Sequence, residues 1–315
     1  MLATIRRLRA AGVLGLNERN IDFISRHNPR RCYLLADDKL RTKQAAIAAG
    51  IAVPELYATI EVPHEVHEVE ARVGDRREFV IKPASGSGGD GVLVVTGRSR
   101  TGFRTTDGRI LGLHELEYHL TNILSGIYSL GGQTDKGLIE YRVHGHPVFD
   151  ALSFRGVPDV RVVVFLGVPV MAMVRLPTLA SRGRANLHQG AIGAGIDLAS
   201  GATMTAVWHN EIVDEHPDTG APVSGTQIPY WDEILRLAAR CYELTGLGYQ
   251  GIDIVIDRDR GPLLLEINVR PGLNIQIANR AGLRERLRRV EQASAQEAGV
   301  EERVALARRL FRAAA

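Results

Sequence analysis

Residues 251–272 read GIDIVIDRDRGPLLLEINVRPG and hold two carboxylates and a carboxamide at suggestive spacing. Alternate residues of a strand share a face. Ile252, Ile254 and Ile256 then point one way and Asp253 the other. On a second strand, Leu263, Leu265 and Ile267 are expected toward the core, with Glu266 and Asn268 opposite. If Arg258–Gly261 is the loop, Asp257 pairs with Pro262 and Asp253 stands across from Glu266. Facing carboxylates are destabilising unless a cation sits between them. Oxygen donors without sulfur or imidazole suit Mg²⁺ or Mn²⁺ rather than zinc, and Mg²⁺ completes its shell with water and substrate phosphates. The hairpin therefore predicts a nucleotide–metal site of Asp253, Glu266 and Asn268. A solvated hairpin face with no metal would use the same residues.

A second candidate lies in EFVIKPASGSGGDGVLVV, residues 78–95. The glycine-rich run Ser85–Gly91 sits between two expected strands. It is not a P-loop, which needs a GK[ST] opening a helix, nor a dinucleotide fingerprint. Glycines let backbone N–H groups approach phosphate oxygens, and Lys82 just before the run adds a point charge. A flap over phosphates and a ligand-free hairpin loop are both open readings of these residues. Lysine is scarce: only Lys39, Lys43, Lys82 and Lys136 occur among 39 basic residues.

In DVRVVVFLGVPVMAMVR, Asp159 and Arg161 share a strand face, and Arg175 ends the run. An arginine on a valine strand is costly unless it meets an anion. That anion is a phosphate or carboxylate ligand, or an internal partner such as Asp159 or Glu140. Asn186 and His188 follow in RANLHQG. His144 and His146 read as solvated turn residues.

The elements that must position these groups are legible in outline. Asp37 and Asp38 offer N-caps to a helix over about Lys39–Ala49, closed by Gly50 and Pro54. Strands are expected near Leu56–Val62, Phe79–Ile81, Val92–Val95 and Leu138–Val143. Helical spacing runs over Leu113–Leu130 and Tyr230–Gly246, and a helix or helix pair over about Leu283–Arg312. β-structure is expected from Phe149 to Leu176, with turns at Arg155–Asp159 and Gly167–Pro169. Two hairpin-rich parts among helices argue for α+β with two lobes, divided near Gly131–Lys136.

Composition bounds the function. A net charge of +3 is too weak a balance to argue for nucleic acid. No apolar run approaches the roughly 20 residues of a membrane helix. Cys32 and Cys241 lack metal-type spacing and read as reduced thiols of a cytoplasmic protein. The N-terminus lacks the apolar core and cleavage site of a secretory signal. The oligomeric state is not readable.

With these pieces in order, the chain resembles the ATP-grasp superfamily, and within it the RimK-type alpha-L-glutamate ligases and the overlapping sugar-transfer-associated branch. The resemblance rests on DDKLRTKQAAIAAGIAVPEL, FVIKPASGSGGDGVLVV, DVRVVVFLGVPVMAMVR, RGRANLHQG and GIDIVIDRDRGPLLLEINVRPG, over about residues 37–280. It implies an α+β ATP-grasp fold of two lobes clasping ATP, with a shortened N-terminal segment and a C-terminal helix. The expected divisions are 1–38, a nucleotide lobe at 39–135, a metal-site lobe at 136–280, and a tail at 281–315. Lys39 and Lys82 are then the lysines at the ATP phosphates and adenine edge. Ser85, Gly86, Ser87, Gly88, Gly89 and Gly91 form the flap. Glu140 to Val143 is the adenine hinge, with Asp159 or Asp150 at the ribose. The resemblance places Arg161 and Arg175 near the transferred phosphate, Asn186 at the metal–phosphate cluster, and Arg270 at the γ-phosphate or acyl substrate. The implied metal ligands are Asp253, Glu266 and Asn268. Only about 38 residues precede Lys39, where RimK-type ligases carry a full α/β domain. Residues 144–158, HGHPVFDALSFRGVP, could shape an acceptor site, and Asn17, Arg19 and Asn20 are candidate substrate contacts.

The implied activity is ATP- and Mg²⁺-dependent amide formation through an acyl phosphate. Glutamate is the implied donor, and a peptide or small-molecule amine the acceptor. The rival readings are a phosphotransferase or a non-catalytic nucleotide-binding protein on the same scaffold.

Overall fold

The computed structural model describes residues 2–86, 88–129, 132–293 and 298–312. Ser87 and Gly131 lie outside them. The chain divides into two compact units, one of Asp38–Gln44 and Val53–Val143, the other of Met1–Asp37, Ala45–Ala52 and His144–Ala315.

The first unit holds an antiparallel sheet of six strands: β1 (Leu56–Ile60), β2 (Phe79–Pro83), β3 (Leu93–Arg98), β4 (Phe103–Thr105), β5 (Ile110–Leu111) and β6 (Gly137–Glu140), in the order β1-β6-β2-β3-β4-β5. The helix Leu113–Leu124 buries Leu116, Leu120, Ile123 and Leu124. That i, i+4, i+7 spacing makes one apolar face. It joins the core of Ile60, Val69, Phe79, Ile81 and Val95. The helix stops at Leu124 rather than Leu130, because Gly126 turns at φ 81° and a Cβ there would stand 2.2 Å from the Gln133 carbonyl oxygen. Because β6 pairs with both β1 and β2, this unit ends at Val143. The expected division at 135/136 would cut the strand out of its own sheet.

The second unit holds β7 (Asp159–Phe165), β8 (Val168–Leu176), β9 (Ile192–Ile196), β10 (Thr203–Trp208), β11 (Glu211–Val213), β12 (Tyr249–Asp257) and β13 (Gly261–Asn268). Their order is β11-β10-β9-β8-β7-β12-β13. Every residue of β7 and β12 is buried. That explains why β7 reads as an apolar run around Arg161 rather than an alternation. The helix Trp231–Thr245 is closed by Gly246 in the left-handed region and packs Ile234, Leu235, Ala238 and Cys241 inward. Pro147–Phe149 is a single turn of 3₁₀ helix, so the β-structure begins at Asp159 and not at Phe149. The first residues serve this unit too. Asn28 accepts from the Tyr249 N–H at 2.8 Å and donates to its carbonyl at 2.7 Å, extending the hydrogen bonding at the start of β12. Both cysteines are free. Among the described residues, no helix is long and apolar enough to cross a membrane.

Candidate active site

The β12–β13 hairpin sets Asp253 directly opposite Glu266, as the spacing predicts, but by a different route. Asp257 pairs with Gly261 and Ile256 with Pro262, one residue off the expected register. Ile254 then pairs with Leu264, and the register shifts before Asp253 meets Glu266. Leu265 is the extra residue of a bulge. The faces change accordingly: Leu263, Leu264 and Ile267 are buried, and Leu265, expected inward, is only half-buried.

Asp253 also pairs in register with Arg161 of β7. The row Arg161–Asp253–Glu266 thus crosses three adjacent strands. Arg161 donates from Nε and Nη2 to the two Asp253 oxygens, both at 2.5 Å. Its partner is Asp253, not Asp159 or Glu140. Arg175 of β8 pairs with Asp159 in the same bidentate way at 2.5 Å and reaches Asp253 Oδ2 at 2.8 Å. Asn268 Nδ2 donates to Asp253 Oδ2 at 3.2 Å. Asp159, Arg161 and Asp253 are all buried.

Burial pushes the Asp253 carboxyl up, but Arg161 and Arg175 outweigh it and hold it below its ordinary value. For Asp159 burial is the larger influence; Arg175 opposes it, the Asp253 charge reinforces it, and the carboxyl is raised. Burial also works against charge on Arg175, and Asp159 and Asp253 outweigh it.

This geometry bears on the metal. The countercharge that facing carboxylates need comes in part from two guanidinium groups, so Asp253 is not a free ligand. Three carboxylates (Asp159, Asp253, Glu266) still stand against two arginines. Glu266 has no hydrogen-bond or ion-pair partner among the described residues. Glu266 and the Asn268 Oδ1 therefore offer hard oxygen donors beside a shared carboxylate, a set that fits Mg²⁺ carried with phosphates. No group of three or more His, Cys, Asp or Glu side chains able to hold a metal occurs among the described residues.

In the first unit, Lys82 of β2 meets Glu140 of β6 at 2.5 Å, and Lys43 of the helix Lys39–Ala48 meets the other Glu140 oxygen at 2.9 Å. All three are buried. Two ammonium groups on one carboxylate leave an excess positive charge, suited to an anion. Burial lowers Lys43, and Glu140 only partly restores it. Sequence reasoning passed over Lys43; its one available signal is its place one helical turn beyond Lys39.

The glycine-rich run is anchored at its start. Lys39 donates its Nζ proton to the Gly86 carbonyl. The buried carboxylate of Asp135, which the sequence did not single out, accepts from the Ser85 N–H at 3.0 Å, the Ser129 hydroxyl at 2.7 Å and the Lys136 N–H at 2.8 Å. Gly88, Gly89 and Gly91 have φ of 66°, 81° and 74°. At Gly91 a Cβ would lie 2.6 Å from the Tyr128 ring. Gly91→Ala is expected to lose about 1–2 kcal/mol through the left-handed backbone alone, read by denaturant unfolding; an unchanged midpoint would show that the turn does not need glycine.

The remaining predicted residues make the following local contacts. Asn186 accepts from the His188 N–H at 3.0 Å and caps its own short turn. The Arg270 guanidinium stacks 5.6 Å from the Tyr33 ring centre. Arg19 is buried and donates to the Pro271 carbonyl at 2.9 Å, so it braces the loop that carries Arg270. Glu140 is committed to its lysines, and Val143 is half-buried at the end of its unit. In residues 144–158, Phe154 N–H bonds the Pro177 carbonyl and Gly156 lies too close to Gly183 for a Cβ.

A family model described as sugar-transfer associated ATP-grasp matches residues 18–292. A search of curated proteins gave no match. Among solved structures, the ATP-grasp ligase PsnB, complexed with a minimal precursor, is 18% identical with a TM-score of 0.44; the match covers 86% of this chain and 64% of that one. The D-cycloserine synthetase DcsG is 17% identical with a TM-score of 0.49, covering 84% and 73%. The D-alanine-D-alanine ligase from Coxiella burnetii is 13% identical with a TM-score of 0.42, covering 87% and 57%. The chain thus spans just under two thirds of PsnB, the first of these. The family match takes in the lysine helix, the glycine-rich run and the arginine–carboxylate row alike: the chain belongs to the sugar-transfer-associated ATP-grasp family.

Proposed function

We propose that this protein is an ADP-forming carboxylate–amine ligase that uses ATP with Mg²⁺ (or Mn²⁺), with glutamate as the first carboxylate to test and a peptide or small-molecule amine as acceptor. Family membership supports nucleotide use. The observation that carries the chemistry is the row Arg161–Asp253–Glu266, flanked by Arg175 and Asn268.

A carboxylate oxygen attacks the γ-phosphorus, the bond to the β-phosphate oxygen breaks, and ADP leaves. The neutral amine nitrogen then attacks the acyl carbon, the carbon–oxygen bond to phosphate breaks, and the nitrogen gives up one proton to leave the amide. The protein's part is positioning and charge neutralisation. Lys39, Lys82 and the Ser85–Gly91 run, Ser87 included, hold phosphates. Glu140 to Val143 borders the base, and Asp159 is the candidate for the ribose. Arg161 and Arg175 exchange part of their hold on Asp253 for the transferred phosphoryl group, and Arg270 meets the γ-phosphate or the acyl group. Asn186 orients the phosphate end. Asp253, Glu266 and Asn268 would hold the metal, which when bound offsets charge on the phosphates. Two free thiols accord with a cytoplasmic setting.

The test is phosphate release from Mg·ATP across single amino acids and pooled peptides, with mass spectrometry of the products. Release that depends on an amino acid, with a product heavier by its residue mass, supports the ligase and names the donor. A product heavier by a phosphoryl group, with no free phosphate, replaces it with a phosphotransferase. ATP binding without turnover in every mixture favours the non-catalytic alternative.

A further inference from the structure

Arg19 carries a buried charge with no carboxylate partner among the described residues. It is 6% exposed. Its guanidinium donates to neutral oxygens alone, the Pro271 carbonyl at 2.9 Å and the Asn20 side chain at 2.9 and 3.1 Å. The two acidic residues nearest it in sequence are engaged elsewhere. Glu18 pairs with Arg284 at 2.5 Å, and Asp22 stands 3.8 Å from Arg26. The ionisable groups that act on Arg19 are Tyr249 and a second cation, Arg270. Burial lowers Arg19 below its ordinary value; Tyr249 opposes that change and Arg270 adds to it. A buried charge kept beside a like charge is costly unless an anion joins them.

A second buried group at the same place is unpartnered. Tyr249 is fully buried, and its hydroxyl has no hydrogen-bond partner among the described residues. Burial pushes that hydroxyl up, and the charges of Arg19 and Arg161 both act against the rise. The segment that carries Arg19 is fixed in position. Arg19–Ile24 is a π-helix, and the Ser25 N–H bonds the Asn20 carbonyl five residues back. Such turns are rare and concentrate at functional sites. Phe23 and Ile24 are buried, with the Phe23 ring edge-on to Phe165 at 5.6 Å, and Asn28 fastens the segment to the Tyr249 backbone. Arg19 is therefore held inside rather than turned out to water.

The place is distinct from the metal row. Tyr249 and Asp253 share a strand face about 13 Å apart along β12. Pro271 covers Gly251 between them, since a Cβ there would stand 2.6 Å from the Pro271 Cβ. Arg270 is exposed and gives the side open to solvent. We infer that Arg19 and Arg270, with the Tyr249 hydroxyl as the floor, bind a spectator carboxylate: a free carboxylate of the donor or the acceptor that is held while another group reacts. Guanidinium groups match a carboxylate in bidentate fashion, and a phenol adds a further donor. The choice of carboxylate rests on the ligase reading above. There the phosphates fall to the lysines, the glycine-rich run and the metal, and carboxylates are the remaining anions.

The test is saturation-transfer NMR of the full chain with glutarate and with glycylglycine, each titrated without ATP or metal at constant ionic strength. A ligand of about nine heavy atoms at the efficiency of ordinary ligands half-saturates at about 1–10 mM. Transfer to at least one of the two in that range is expected; glutarate alone places the group on the donor, glycylglycine alone on the acceptor. Tyr249→Phe removes a hydroxyl that has no partner to lose, so the unfolding midpoint should hold or rise. Binding should nevertheless weaken about tenfold, the worth of a hydrogen bond to a charged group, and Arg270→Gln should weaken it as much. A residue that only braced the Pro271 loop would give no such loss. Transfer to neither compound overturns the proposal, as does unchanged affinity in both variants. Inorganic phosphate that displaces the bound compound at a tenth of its concentration overturns the carboxylate and gives the place to phosphate. Because phosphate release from ATP is measured separately, failure here leaves the ligase reading standing, and failure there leaves this anion site standing.

Discussion

Glu266→Gln is expected to abolish ATP turnover while leaving the fold and its stability intact. Glu266 is half-buried and has no protein partner among the described residues. An isosteric amide therefore breaks no contact, and the unfolding free energy should change by no more than about 0.5 kcal/mol, as for surface substitutions. It even relieves the facing of two carboxylates across β12–β13. What it removes is the one carboxylate not already claimed by an arginine. Loss of groups that merely orient metal ligands costs roughly 10–100-fold, so loss of a direct ligand should lower phosphate release at least about 100-fold. A folded Glu266→Gln protein turning over at the wild-type rate would remove the metal assignment. The contrast with Asp253→Asn is informative. That change strips the countercharge from Arg161 and Arg175 in a buried network, so it should cost stability as well as activity.

The largest stability effect is expected at Glu140→Gln. Glu140 is 3% exposed, and its two oxygens meet Lys82 and Lys43, themselves 6% and 5% exposed. Removing the single carboxylate leaves two buried ammonium groups uncompensated, at a cost of about 3–5 kcal/mol. The pH dependence follows from the same cluster. Burial raises the Glu140 carboxyl, Lys82 and Lys43 outweigh it, and the folded-state value lies below the ordinary one. A depressed folded pKa means that the unfolded chain binds the proton more tightly. The stability is therefore present above the ordinary carboxyl value, about 4.3, and is lost as pH falls through the depressed one. Acid unfolding of the wild type should be steep over that range, and the variant should be weaker at neutral pH and flatter there. Equal stability of the two proteins at pH 7 would show that water or another group compensates the lysines.

Much of this was legible in the sequence because strict patterns leave little choice. The hairpin itself follows from aliphatic alternation and a turn, and the end of the helix at Ala48 from Gly50. The bulge at Leu265 was not legible, since LLLE offers no glycine or kink to mark it, and two register errors cancelled to give the right opposition. Strand β9 escaped because IGAGI reads as a loop. Its glycine at 195 lies where a Cβ would stand 2.5 Å from the Ala278 carbonyl oxygen, so close helix packing, not strand propensity, fixes it. The partner of Arg161 was missed for a related reason: register between strands about 90 residues apart in sequence is a tertiary fact. Asp135 and Ser129 brace the glycine-rich run from a connection whose composition is ordinary.

The central claim is that a carboxylate is activated by phosphoryl transfer, and oxygen labelling tests it most directly. The donor that supports phosphate release is supplied with ¹⁸O in its carboxylate, and the released phosphate is analysed by mass spectrometry. One labelled oxygen in each phosphate formed is the predicted result, because the acyl phosphate carries that oxygen away when the amine attacks. Unlabelled phosphate alongside the amide product would contradict the account, since the carboxylate oxygen would then have left by a route other than the γ-phosphate.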